Sequence, residues 1–135
     1  MKTTEIVRDY LQNKKRIAIL ENDKIYLDNL SIIRVTSYDD EKSAPGGGLE
    51  ERYHKLIDRK EKIELELAIL KAEVAKVDKV IELIGNDYKS ECQAFKLRHL
   101  QRKSLNYIES ELGYSRTAII KKIQFAELEF QKMMA

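Results

Sequence analysis

A heptad repeat between Tyr53 and Ile84 is the feature that most constrains how this chain can fold. Its a positions are Tyr53, Lys60, Leu67, Val74 and Ile81, and its d positions are Leu56, Ile63, Leu70, Val77 and Ile84. Nine of these ten residues are apolar, which predicts a long helix with one continuous apolar stripe. A single polar a residue, here Lys60, is typical of a position that fixes register or oligomeric state. We expect Leu67 and Leu70 to be buried against another helix, in a coiled coil or, alternatively, in an ordinary bundle.

The segment from Thr4 to Val35 is the predicted partner helix. Its apolar residues follow helical spacing, with Asn13 and Lys24 on the same face; they are Ile6, Tyr10, Ile17, Leu20 and Leu27. Residues 36–49 lack periodicity and include Pro45 and three consecutive glycines, so they predict a flexible loop. The two helices would pair antiparallel, within one chain or between two. Gly85 follows the last d residue and is expected to end the second helix in a left-handed conformation.

Composition favours long helices and is the one expected of a protein that works inside the cell. Charged residues make up 36% of the chain and aromatic residues 7%. The last third, residues 85–135, holds nine Lys/Arg and six Asp/Glu, an excess of +3 that suits a DNA-binding surface. The lone cysteine, Cys92, fits a reducing cytoplasm and is expected to be half-buried packing. The first twenty residues are charged throughout, so we expect neither a signal peptide nor a membrane span.

The C-terminal segment predicts three shorter helices with identifiable ends. Ser90 to Gln93 matches a capping box, which predicts a helix from about residue 91 to residue 102. Ser104 is expected to cap a second helix that ends at Gly113, and Ser115 to cap a third that runs toward Met134. The residues expected to complete this core are Phe125, Phe130, Met133 and Met134.

The last two helices have the spacing of a helix-turn-helix, in which Gly113 allows the sharp turn. Ile108 and Leu112 would face Ile119 and Ile123, and these four would lock the helices together. The opposite side of the last helix then carries the candidate base-reading residues, which are Arg116, Thr117, Ile120, Lys121 and Gln124. The alternative is an ordinary helical bundle in which Gly113 only ends a helix.

Residues 95–99, Phe-Lys-Leu-Arg-His, and 104–116, Ser-Leu-Asn-Tyr-Ile-Glu-Ser-Glu-Leu-Gly-Tyr-Ser-Arg, resemble region four of sigma factors, which reads the promoter −35 element. The order of a long helix, a Pro/Gly-rich loop, a heptad helix and this module is similar to that of ArpU-like and RinA-like phage regulators. Glu109 and Arg102 depart from the family pattern, which often has a small Ala and a Gly there.

The resemblance implies an all-α protein with a helical hairpin over residues 1–85 and a DNA-binding domain over residues 86–135. It implies a cytoplasmic, sigma-like activator of late phage genes that binds double-stranded promoter DNA, forms a homodimer through the coiled coil and can engage RNA polymerase. No cofactor or enzymatic activity is expected. The DNA contacts beyond the five on the last helix would be Arg98, Arg102 and Lys103 toward phosphates, and Ser115 at the helix start.

Two other functions remain open from the sequence. A small terminase subunit also joins a helix-turn-helix to oligomerisation helices, although often with the DNA-binding module first. A coiled-coil interaction protein with a degenerate module would show no salt-sensitive DNA affinity. A metal site is not expected, because His54 and His99 lie on separate elements without matching ligands. We expect His99 to contact phosphate or solvent.

Overall fold

The computed structural model describes residues 2–40 and 48–135, with the side chains of residues 2–30 and 50–135. In these residues every regular element is helical, which confirms the predicted all-α class. The elements are α1 (Thr3–Asp40), α2 (Gly48–Asp87), α3 (Lys89–Phe95), a π-helical turn (Lys96–Leu100), α4 (Leu105–Leu112) and α5 (Arg116–Met134).

The bounds of the two long helices differ from the prediction. Helix α1 continues through residues 36–40, and α2 already begins at Gly48 and extends past Gly85 to Asp87. Residues 36–40 hold no glycine or proline, so the helix can continue through them at a small cost in propensity. The predicted loop was therefore too wide at both ends, and its remaining part, residues 41–47, lies outside the described residues.

The chain divides into two compact units. One comprises Met1–Asn13 and Glu73–Ala135, and the other comprises Lys14–Ala72. Helices α1 and α2 contribute residues to both units. Each unit has an apolar core of its own.

In the Lys14–Ala72 unit, α1 and α2 pack along the predicted apolar stripes. The buried residues are Leu20, Leu27, Leu56, Ile63 and Leu67. Ion pairs that cross between the two helices include Lys60–Asp28, Lys24–Glu64 at 3.5 Å, Lys71–Glu21 at 2.9 Å and Arg16–Glu66 at 3.3 Å. High numbers on one helix pair with low numbers on the other, so these segments run antiparallel within one chain.

The polar interruptions of the two stripes have charged partners in this pairing. Lys60, the polar a residue, lies beside the carboxylate of Asp28, whose hydrogen bond raises the pKa of the lysine. Lys24 lies beside Glu64. The partners sit at the edge of the helix pair, where both charges stay in contact with water, so such pairs contribute more to register than to stability.

Two stripe residues are less buried than predicted. Leu67 is buried as expected, but Leu70 is only half-buried and Tyr53 is 39% exposed. Two helices side by side cover the centre of a stripe and leave its edges in contact with water. The prediction that both Leu67 and Leu70 are buried is therefore correct only for Leu67.

In the other unit, the first turns of α1 pack together with α2, α3 and α5. The buried core residues are Val7, Tyr10, Val77, Val80, Ile81, Ile84, Cys92, Phe95, Ala126 and Phe130. The Tyr10 hydroxyl donates to the Asp78 carboxylate, and burial together with this bond raises the pKa of Tyr10. Gln131 donates to the hydroxyl of the buried Thr3 at 3.0 Å, which ties α1 to the end of α5.

The predicted C-terminal core is correct only in part. Phe130 is fully buried and Met134 packs partly buried against the same core. Phe125 is 37% exposed and meets the edge of Tyr88 with 4.7 Å between ring centroids, while Met133 is exposed. Helix α5 has one buried side, formed by Ile119, Ile123, Ala126 and Phe130, and residue 125 falls off that side.

Cys92 is more deeply buried than predicted. Its side chain is 2% exposed, and the sulfur donates to the Ile81 carbonyl at 3.4 Å. Burial raises the pKa of the thiol, so the reactive thiolate is disfavoured. The role of Cys92 is packing between α2 and α3.

Replacing Gly85 and Gly113 with alanine should change the free energy of unfolding in opposite directions. Gly85 lies inside α2, where an added Cβ would sit 3.4 Å from the Cys92 sulfur, an ordinary contact distance. Gly85→Ala should therefore stabilise the protein by up to about 1 kcal/mol, because alanine favours the helix. Gly113 has φ +77°, so Gly113→Ala should destabilise it by about 1–2 kcal/mol. Urea denaturation of both variants measures the two changes; equal signs would contradict the assigned backbone conformations.

Candidate nucleic-acid interface

The segment from Ser104 to Met134 folds as two helices joined by a three-residue turn. The Ser104 hydroxyl accepts from the Tyr107 backbone N–H at 3.2 Å, and the Ser115 hydroxyl accepts from the Ala118 N–H at 3.3 Å. Between the two helices, Gly113 ends α4 in the left-handed conformation. These three helix ends agree with the sequence prediction, because each is set by the local chemistry of one residue.

The core that holds α5 against α4 is also the one expected from spacing. Ile108 and Ile119 are fully buried, Ile123 is 6% exposed and Leu112 is partly buried beside them. The remaining members of the cluster come from the segment before and from the start of α4: Ala94, Leu97 and Leu105. Burial of this side fixes which side of α5 faces water.

The five candidate base-reading residues on α5 are all solvent-exposed: Arg116, Thr117, Ile120, Lys121 and Gln124. Ile120 is the apolar member, with 37% of its surface exposed. Ser115 is exposed as well, but its hydroxyl oxygen is engaged in capping α5. The first three turns of α5 therefore present hydrogen-bond donors and one apolar side chain to solvent.

Lys122, the neighbour of Lys121, has its charge engaged inside the protein. Its ammonium group donates to the Ser90 hydroxyl at 3.0 Å, lies 3.5 Å from the Glu91 carboxylate and sits 4.5 Å from the centre of the Tyr114 ring. The pKa of Glu91 lies below its ordinary value. The main cause is the hydrogen bond from its own backbone N–H, and the Ser90 hydroxyl and Lys122 add to the effect, whereas burial opposes it.

Ser90 does not cap α3, contrary to the capping-box prediction. The helix begins at Lys89 after Tyr88, and Tyr88 makes no side-chain cap. The Ser90 hydroxyl instead donates to Glu91 at 3.1 Å and accepts from Lys122. An ammonium group from a distant helix outcompetes the local backbone for this hydroxyl. The predicted helix over residues 91–102 is likewise split into α3 and the π-helical turn.

The three candidate phosphate contacts lie in the π-helical turn and in the short segment between it and α4. Arg98 is exposed, and its Nη1 donates to the Lys103 carbonyl at 3.0 Å. Arg102 is exposed and has φ +54°, the left-handed region that a side chain disfavours. Lys103 is half-buried, with its ammonium group 4.8 Å from the centre of the Tyr107 ring. The structure thus leaves the guanidinium groups of Arg98 and Arg102 more open to solvent than Lys103.

His99 is largely buried, whereas the sequence analysis expected it to contact phosphate or solvent. Its side chain is only 10% exposed, and its Nε2 lies 2.7 Å from the Glu127 carboxylate. The ring packs against Phe95 with 4.7 Å between centroids. The π-helical turn rotates this residue inward while Arg98 stays outside. Spacing alone could not indicate this, because the partner Glu127 is 28 residues away.

A shallow cleft brings together one candidate phosphate contact, Arg98, and one candidate base-reading residue, Arg116. It is lined by Arg98, Ser104, Leu105, Asn106 and Arg116. The cleft lies where α4 begins, so unpaired backbone N–H groups of that helix add to the positive potential from the two guanidinium groups. Asn106, an exposed hydrogen-bonding residue in the first turn of α4, was missed by the sequence analysis.

Neither a metal centre nor a membrane span was found in the residues that the structure describes. Over residues 2–40 and 48–135, no three His, Cys, Asp or Glu side chains come together as metal ligands. His54 lies on the exposed side of α2, beside Tyr53. None of the described helices combines the length and apolarity needed to cross a bilayer.

Comparisons with protein-family models, with curated proteins and with solved structures gave no significant match to the chain.

Proposed function

We propose that the chain is a sequence-specific DNA-binding transcriptional regulator, in which α4 and α5 act as a helix-turn-helix and α5 is the recognition helix. The observation that carries this proposal is the exposed row on α5, which includes Arg116, Lys121 and Gln124, on a helix whose Ile119 and Ile123 are buried. A recognition helix needs such a row, because its outer side must reach base edges while its inner side holds the crossing.

The residue types in this row match the chemistry of the major groove. A guanidinium group such as that of Arg116 can donate two hydrogen bonds to guanine, and the amide of Gln124 can pair with adenine. Ile120 can contact a thymine methyl group. Arg98 and Arg102 would contact the phosphate backbone, where a positive charge adds affinity without sequence preference. The half-buried Lys103 would make a weaker contact of the same kind.

The N-terminal part of the chain would serve oligomerisation. The antiparallel packing of α1 and α2 supports a helical hairpin, and a homodimer would form through its outer surface, with RNA polymerase as a further partner. The resemblance to sigma region four and to ArpU-like and RinA-like regulators supports a phage activator of late genes. The proposal involves no enzymatic activity and no cofactor, and it places the protein in the cytoplasm.

DNA selection from a random duplex library, followed by fluorescence anisotropy on the selected site, tests the proposal. We expect Arg116→Ala to weaken binding to the selected site by about 1–3 kcal/mol and to relax preference at one base pair. Lys121→Ala should also weaken binding. The matched control is Lys122→Ala, whose lysine is held by Ser90 and Glu91 and should matter less for affinity.

Two outcomes would speak against this function. If the chain shows no salt-sensitive affinity for any duplex, the helix-turn-helix is not used on DNA. If duplex binding occurs but Arg116→Ala and Lys121→Ala leave it unchanged, α5 is not the recognition helix.

A second candidate function is a coiled-coil interaction protein. Large apolar side chains are exposed on the Lys14–Ala72 unit: Ile19 (54%), Ile25 (59%), Tyr26 (61%), Leu65 (65%) and Ile69 (52%). Leu65 and Ile69 lie one turn apart on the same side of α2, and adjacent exposed apolar side chains favour association with another protein. This function predicts stable complexes without measurable DNA affinity, whereas a DNA-packaging subunit of the terminase kind predicts a large closed ring by mass measurement.

A further inference from the structure

Arg8, which lies in the second turn of α1, lines a second cleft together with residues of the π-helical turn. The residues around this cleft are Thr4, Glu5, Val7, Arg8, Arg98, His99 and Arg102. Three of them are arginines and one is a carboxylate, so the cleft carries a net positive charge. Nothing in the sequence pattern brings residue 8 next to residues 98 and 102, because they are about ninety positions apart.

The packing of α1 fixes where the Arg8 side chain emerges. Val7 and Tyr10 on either side of it are 3% and 5% exposed in the core of this unit, and Thr3 is held by Gln131. Arg8 itself is exposed. Its guanidinium group lies 3.9 Å from the carboxylate of Asp9, and at least half of each side chain is open to water. An exposed pair at that distance contributes little, so the guanidinium group is available to another anion.

Arg98 lines both this cleft and the cleft at the start of α4. The arginines of the two clefts therefore form one cationic row, made of Arg8, Arg98, Arg102 and, in the first turn of α5, Arg116. His99 lines the second cleft as well, and its bond to Glu127 fixes the ring behind the arginines.

We propose that Arg8 is a DNA-backbone contact, and that the cleft between α1 and the π-helical turn holds a phosphate of the same duplex that α5 reads. This inference rests on the proposed function and extends its surface onto the N-terminal helix. Arginine suits the role, because its planar fork can donate two hydrogen bonds to one phosphate. Glu5, the carboxylate that lines the cleft, opposes the phosphate and lowers the affinity.

Affinity for a labelled duplex, measured by anisotropy between about 50 and 200 mM salt, tests the role of Arg8. Arg8→Ala should weaken binding about three- to tenfold at physiological salt, equally for the selected and for unrelated sequences. The slope of log affinity against log salt should fall by about 0.9. Arg8→Lys should retain most of the affinity, and Glu5→Gln should raise it. Circular dichroism of each variant verifies that the helices are intact.

The matched control is Arg59→Ala, which removes an exposed arginine of α2 that lines neither cleft. We expect no change in the salt slope for this variant. An equal loss in Arg59→Ala and Arg8→Ala would overturn the assignment, because it would show a general effect of net charge. An unchanged slope in Arg8→Ala, with DNA binding and the Arg116→Ala loss intact, would overturn the inference and leave the proposed function standing.

Inorganic phosphate distinguishes a DNA phosphate from a small free anion in this cleft. At matched ionic strength, phosphate and chloride should displace the duplex to the same extent. A saturable displacement by phosphate that is lost in Arg8→Ala would assign the cleft to a small phosphate ligand and overturn the DNA contact.

Discussion

Replacing Phe130 with alanine is expected to lower the free energy of unfolding by about 3–5 kcal/mol. The ring is fully buried and packs against Phe95 with 5.3 Å between centroids, in the core that joins α1, α2, α3 and α5. Removing the ring leaves a cavity that the surrounding helices can fill only by shifting. Urea denaturation measures the loss, with the slope m used to verify that the transition keeps its cooperativity.

Phe125→Ala is the matched control, since it removes the same side chain from the same helix. Phe125 is 37% exposed and contacts mainly Tyr88, so its loss should cost only about 0.5–1.5 kcal/mol. If the two variants lost equal stability, the buried side of α5 would be misassigned.

Leu67→Ala should have the second large effect, about 2–5 kcal/mol, in the Lys14–Ala72 unit. Leu67 is 5% exposed and belongs to the same buried cluster as Leu20 and Leu27 of α1. Alanine favours helix, so the loss reports packing between α1 and α2 and not a change in helix propensity. Thermal unfolding followed by circular dichroism at 222 nm, a wavelength that reports helix, measures it.

Leu65→Ala makes the same substitution two residues earlier, on a side chain that is 65% exposed. Its effect on stability should stay within about 0.5 kcal/mol. A large effect of Leu65→Ala together with a small effect of Leu67→Ala would mean that the opposite side of α2 is the buried one.

Features governed by neighbouring residues could be predicted from the sequence. The Ser104 and Ser115 caps and the turn at Gly113 each depend on one residue and the backbone next to it. The buried side of α5 follows from a 3.6-residue period that places Ile119 and Ile123 together. The same reasoning placed Leu67 correctly, because the heptad period is long and regular.

Features governed by residues far apart in sequence could not be predicted. Ser90 was expected to cap α3, but Lys122 binds its hydroxyl. Arg8 entered the candidate surface only because Val7 packs into a core with distant helices. Periodicity shows which side of a helix is buried, and it does not show what covers that side.

Arg102 adds positive charge to the surface but occupies a backbone conformation that destabilises the fold. Its φ of +54° costs an L residue about 1–2 kcal/mol, whereas glycine can adopt it without steric strain. A sequence optimised for stability alone would carry glycine here and lose a guanidinium group from the cationic row. Under the proposed function, retaining arginine makes this position a trade-off between stability and affinity for DNA, and Arg102→Gly would gain stability and weaken binding.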